Sequence, residues 1–268
     1  MKSLHVLTLV SWLWTGSALA QTAPPADNPI CADRPGKGAA TCTAPAGHWQ
    51  LEMDAVDLTH SRSGGVTNDT TVLAGLTAKY GVTDRFDLEL ALTPWQSAPV
   101  SGPGGGHAAG FGDMLLRTKL ALTAPGGPVT AALDPYVKLP TAPLSLGNGA
   151  VEAGVVAPVS VALPNQMSLA FSPEADWRLN GSGAGRHWAW AGAVGLGAPL
   201  TPELTGGVEL WGQIDQDPAG ETRQASFDLS LAYIPAKAQT LQLDGGVNLG
   251  LNRATADVQV YVGASKRF

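Results

Sequence analysis

The most constraining feature of this chain is a period of two. From Gly47 to the last residue, strand-length runs of alternating apolar and polar side chains follow one another, separated by clusters of turn formers. In the run 85–93, Phe86, Leu88, Leu90 and Leu92 share one face, and Arg85, Asp87, Glu89 and Thr93 the other. Near the C-terminus Val258, Val260, Val262, Ala264 and Phe268 alternate with Asp257, Gln259, Tyr261 and Arg267. Successive strand residues point to opposite sides, so each run is a strand with one apolar and one polar face.

Such strands can build a soluble sandwich, with polar faces outward to water, or a barrel in lipid, with polar faces toward a lumen. The pattern counts about twelve runs, at 48–59, 70–80, 84–94, 112–122, 130–140, 150–162, 166–179, 187–198, 204–214, 223–234, 240–249 and 256–268. The connections between them alternate between compact links and longer loops rich in Gly or polar residues, among them 94–111 as a candidate outer gate. Strict alternation of short periplasmic turns with longer outer loops is the habit of bacterial barrels, as is an even strand number. The expected fold is therefore all-β, an antiparallel transmembrane β-barrel of about twelve strands over 47–268. Past Ala20, Gly, Pro, Asp or Glu recurs every few residues, too often for a membrane-spanning helix. The 33 glycines and 20 prolines likewise favour turns over long helices.

The first residues set the compartment. Lys2 and His5 precede an apolar run over 6–14 and small residues ending in Ala18-Leu19-Ala20, the pattern of a secretory signal with an A-x-A cleavage site. Residues 1–20 are expected to be removed, leaving a mature chain from Gln21 in the bacterial outer membrane. Residues 21–46 are rich in Pro, Ala and Gly without periodicity, and read as an irregular segment that is either periplasmic or lumen-plugging. Both cysteines, Cys31 and Cys42, lie there, and in an oxidising compartment a local disulfide is expected. Only Asp33 and His48 could join them on a metal, and no second Cys or His pair completes a site. No metal or cofactor is expected.

Aromatic residues collect where strands end. Trp49, Tyr80, Tyr233 and Phe268 fall at the expected periplasmic ends and Trp95, Trp188 and Trp190 at the outer ends, as two interface girdles in contact with outer-membrane lipids. Trp211 has the opposite parity and points inward. The last strand, ending on Phe268, is the expected contact for the outer-membrane insertion machinery. On the polar faces Glu52, Asp54, Asp87, Glu89, Arg117 and Lys119 are the candidate lumen and selectivity residues. A net charge of −6 argues against a nucleic-acid partner, which would require a basic face.

Several blocks carry a family resemblance. They are Cys31, Asp33-Arg34-Pro35 and Cys42; Pro45 with Gly47-His48-Trp49-Gln50-Leu51-Glu52; Tyr80-Gly81-Val82-Thr83-Asp84-Arg85-Phe86-Asp87-Leu88; and Gly110-Phe111-Gly112-Asp113. With a terminal Phe268, the chain resembles the meta-pathway phenol-degradation family of outer-membrane, transporter-like β-barrel proteins over nearly its whole mature length. The resemblance implies an outer-membrane barrel and uptake of small apolar or aromatic solutes.

An enzyme would need a nucleophile, a base within hydrogen-bond reach and an orienting group. His60 adjoins Ser61, but neighbouring strand residues face opposite ways, and there is no G-x-S-x-G elbow. The expectation is a passive channel or transporter and not an enzyme. The alternatives are a closed structural or adhesive barrel and, third, a barrel-borne lipid-modifying enzyme.

Overall fold

The computed structural model describes residues 29–63, 66–99 and 106–268; the signal segment 1–20 and the mature start at Gln21 lie outside the described residues. The chain forms β1 (Trp49–Ser63), β2 (Val66–Thr83), β3 (Phe86–Leu92), β4 (Trp95–Pro99), β5 (His107–Gly110), β6 (Met114–Ala121), β7 (Val129–Leu139), β8 (Glu152–Val156), β9 (Val159–Ala162), β10 (Ser168–Leu179), β11 (Arg186–Pro199), β12 (Leu204–Asp215), β13 (Thr222–Tyr233), β14 (Leu241–Gly250) and β15 (Val258–Arg267).

All pairings between these strands are antiparallel, and β1 bonds both β2 and β15, which closes the sheet into a twelve-stave barrel. Closure removes the unpaired edges that a membrane cannot satisfy. Three staves are each made of two strands. Pro94 follows the end of β3, and Pro158 separates β8 from β9; lacking an N–H, each interrupts its ladder. At the second break Ala157 donates to Pro173 O (2.9 Å) and Ala132 to Pro158 O (3.0 Å), so the wall stays bonded across it.

The segment 94–111, expected as one long outer loop, instead contains the β4–β5 hairpin, with β4 paired to β2 from Thr71 to Leu73. Local alternation there is masked by Pro94, Pro99 and several glycines, while cross-strand bonding to β2 continues the wall. The runs 48–59 and 70–80 likewise extend, because β1 and β2 stay paired out to Ser63 and Val66.

Burial is inverted relative to a soluble domain. Large apolar side chains such as Leu210 (56% exposed) and Val262 (52%) stand outside, while Lys119, Asp87 and Asp134 are fully buried inside. A contiguous apolar exterior around a polar interior is stable only with lipid outside, which decides against the sandwich. Trp49 and Tyr80 lie 4.9 Å apart at the short-turn end, joined there by the exposed Tyr233 and Phe268; Trp95, Trp188 and Trp190 stand at the other end.

Candidate functional site: the barrel lumen

Two groups of inward side chains stand out by charge. Lys79 on β2 and Arg117 and Lys119 on β6 make one basic sector. Asp54 and Asp57 on β1, Glu209 on β12, Asp228 on β13 and Asp244 on β14 make an acidic one. A β-bulge sets the phase of β1. On the β15 side Asp54 opposes Gly263 and Val56 opposes Val262, so Ala55 is the extra residue; on the β2 side Ala55 and Ala74 are both left out of the pairing, and Ala74 adopts φ 54°. Inward positions shift from Gln50, Glu52 and Asp54 to Asp57 and Thr59. Strict alternation would send Asp57 into lipid, and it was missed as a lumen residue for that reason. The spacing of Asp54 and Asp57, three apart with Val56 and Leu58 on the apolar phase, is the signal that reveals the bulge.

The N-terminal segment lies within this lumen and matches its charges. Asp33 meets the basic sector, accepting from Lys119 Nζ at 2.5 and 2.7 Å and from Lys79. Burial alone would raise the Asp33 pKa, but Lys119, Lys79 and Arg117 outweigh it and hold the carboxyl well below the usual range. Arg34 turns to the acidic sector, donating to Asp244 Oδ1 (2.7 Å) and Asp54. Gly263 makes room for it, because a Cβ there would lie 2.4 Å from the guanidinium. Lys37 reaches Ser226 (2.6 Å) and Asp228 (3.5 Å) and lies 4.5 Å from the ring of Trp211, whose inward parity this contact explains.

Backbone groups complete the seat. Lys37 and Gly38 donate N–H to Glu209, Asp33 N–H to Glu52, and Ala44 N–H to Asp87. Tyr261 and Gln242 donate to the carbonyls of Pro35 and Arg34. Cys31 and Cys42 are joined in a disulfide, with Cα atoms 6.4 Å apart. The segment then leaves past Gly81, where a Cβ would stand 2.0 Å from Pro45 O; this close approach, more than the turn that follows, requires glycine.

All six candidate lumen residues face this network. Glu52 pairs with Lys79 (2.6 Å), Asp54 with Arg34, Lys119 with Asp33 and Arg117 with Asp134, while Asp87 holds Ala44. Glu89 sits 3.6–3.7 Å from Lys79, Arg117 and Lys119 as their shared counter-charge. Asp33, Glu89 and Asp134 lie close enough to share a metal ion, but these three cations already neutralise them. His60 bonds Asp69 (2.6 Å), with no triad geometry toward Ser61.

Among the described residues the lumen keeps open space in two places. One of about 570 Å³ lies over the N-terminal segment between Asp57, Asn248, Glu174 and Arg117. A second, of about 580 Å³, lies nearer the long-loop end among Lys138, Glu152, Arg178, His187 and Asp217. Leu115 and Tyr136 border both.

The family model described as "Putative MetA-pathway of phenol degradation" matches residues 32–268. Among solved structures, an outer membrane channel from Pseudomonas putida F1 superimposes with a TM-score of 0.65 at 16% identity, over 88% of this chain and 99% of that one. The NanC porin superimposes with a TM-score of 0.53 at 11% identity, over 79% of this chain and 99% of the porin. Both likenesses show the fold of bacterial outer-membrane β-barrels. No curated protein sequence matches this chain.

Proposed function

Because this chain belongs to the family described as "Putative MetA-pathway of phenol degradation", we propose that it is a passive outer-membrane channel for small apolar or aromatic solutes, acting without a covalent step. The observation that carries the reading is a closed barrel whose lumen keeps two cavities with shared lining beyond its N-terminal segment. Resemblance in fold to an outer membrane channel supports it. Glu52, Asp54, Asp87, Glu89, Arg117 and Lys119 then act on selectivity chiefly by holding the N-terminal segment, which sets the free width of the lumen. Export through residues 1–20, and insertion guided by the last strand with its terminal Phe268, belong to the same proposal.

The ion-paired seat of the N-terminal segment favours a second reading, a barrel held closed. Proteoliposomes containing the mature chain distinguish the two. Phenol and small aromatic acids should permeate faster than sugars of similar size. Equal rates would reduce the protein to a general pore. No permeation above empty liposomes, even after deletion of residues 21–46, would leave the closed barrel.

A further inference from the structure

Seven carboxylates line the cavity over the N-terminal segment, and five of them are spoken for by cations in the wall or the segment. Among the described residues, Asp57 and Glu174 form no ion pair. The lining cations Arg34, Lys37 and Arg117 are all committed elsewhere, to Asp54 and Asp244, to Asp228, and to Asp134. Asp57 on β1 and Glu174 on β10 stand six staves apart in a ring of twelve, across the lumen from one another.

The surroundings of each carboxylate reinforce its acceptor character. Asn248 Nδ2 donates to Gln259 Oε1 (2.8 Å) and Gln259 Nε2 to Asp57 Oδ2 (2.7 Å), an aligned amide relay ending on the carboxylate. At its head Asn248, only 5% exposed and part of the cavity wall, leaves Oδ1 without a hydrogen-bond partner. A buried amide oxygen with no donor is costly in the absence of a ligand or ordered water. On the other wall, the Tyr136 hydroxyl has one proton for two acceptors. Asp176 at 2.5 Å competes for it with Glu174 at 3.1 Å, leaving Glu174 short of donors. Between the two poles Val72, Leu115 and Val156 supply apolar surface beside the already paired Glu89, Asp113 and Arg117.

We infer that this cavity binds a small organic cation, an apolar or aromatic body carrying an ammonium group that donates to Asp57, held by its Asn248–Gln259 relay, or to Glu174. The inference rests on the channel reading and narrows its solute class. A metal ion fits less well, because the two free carboxylates face each other across a cavity of about 570 Å³ and do not converge on one point.

Isothermal titration of the mature chain in detergent micelles, with benzylammonium, benzyl alcohol and benzoate as probes, tests it. Benzylammonium should bind, with benzyl alcohol and benzoate roughly tenfold or more weaker, as expected when charge-assisted hydrogen bonds are lost. Asp57→Asn and Glu174→Gln should each weaken benzylammonium several-fold, and Asn248→Leu should also weaken it. Heat-modifiable gel migration verifies that each variant keeps its barrel. Equal binding of the three probes, no binding of benzylammonium, or affinity unchanged in the folded Asp57→Asn/Glu174→Gln variant would overturn the inference. Permeation assays separate this from the parent reading. Aromatic permeation without ammonium binding would refute the cation site alone, whereas binding without permeation in liposomes would refute the channel alone.

Discussion

At the scale of single residues, the side of the wall decides what a charge costs. Leu115 and Leu116 are neighbours on β6. Leu115 borders both lumen cavities, whereas Leu116 is 49% exposed on the lipid side. Leu116→Arg should destabilise the barrel by roughly 2–4 kcal/mol, the range for a cation near mid-bilayer. Leu115→Arg should cost clearly less, because Asp113 and Glu174 line the same cavity. Equilibrium folding into lipid vesicles measures both, and equal losses would mean that the faces are misassigned. Most of this facing was legible, since period-two alternation alone put Glu52, Asp87, Glu89, Arg117 and Lys119 inside. Asp57 was not legible by that rule, because the bulge at Ala55 against β15 reverses the phase of β1. Glu89 was readable as a lumen residue, but its role as counter-charge to Lys79, Arg117 and Lys119 depends on which strands meet across the barrel.

At the scale of elements, the N-terminal segment is held by complementary charge more than by apolar burial. Asp33 faces the basic sector while Arg34 and Lys37 face the acidic one. Neutralising both sides of that match in Asp33→Asn/Arg34→Gln should undock the segment without opening the barrel. The peptide bond after Lys37 then becomes a sensitive reporter. Limited trypsin digestion there should be at least about tenfold faster than in the parent protein, for a docking loss of roughly 1.5–3 kcal/mol per charged contact. Unchanged digestion would show that these pairs do not hold the segment. The disulfide acts on the same element by closing a short loop, worth about 3 kcal/mol in chain entropy. Cys31→Ser/Cys42→Ser should therefore speed the same cleavage while leaving the barrel's thermal unfolding in place. From the sequence the segment reads as either periplasmic or lumen-plugging, because an aperiodic stretch carries no facing information. Its position depends on partners such as Asp244, Glu209 and Ser226, all more than 170 residues away. The β4–β5 hairpin was hidden for a related reason, since its prolines and glycines read locally as a loop.

At the scale of the whole molecule, the charged wall and its complementary segment together set the field that the lumen presents. The docked segment contributes Arg34 and Lys37 to the acidic sector, covering Asp54, Asp228 and Asp244. Deleting residues 21–46 removes those two cations and exposes that sector together with Glu209, whose oxygens now bind the segment's backbone. It also removes Asp33, freeing Lys79 and Lys119, but these keep Glu52, Glu89 and Asp134 as partners. The basic sector thus stays largely neutralised while the acidic one does not, and the imbalance should act as a fixed negative field along the lumen. Planar-bilayer recordings in a KCl gradient should then give two coupled changes. Single-channel conductance should rise when the segment is removed, and the reversal potential should move toward that of potassium, with the shift shrinking at high salt as the field is screened. A larger conductance without a change in selectivity would mean that the segment merely narrows the lumen. A shift toward chloride would contradict the charge assignment of the wall itself.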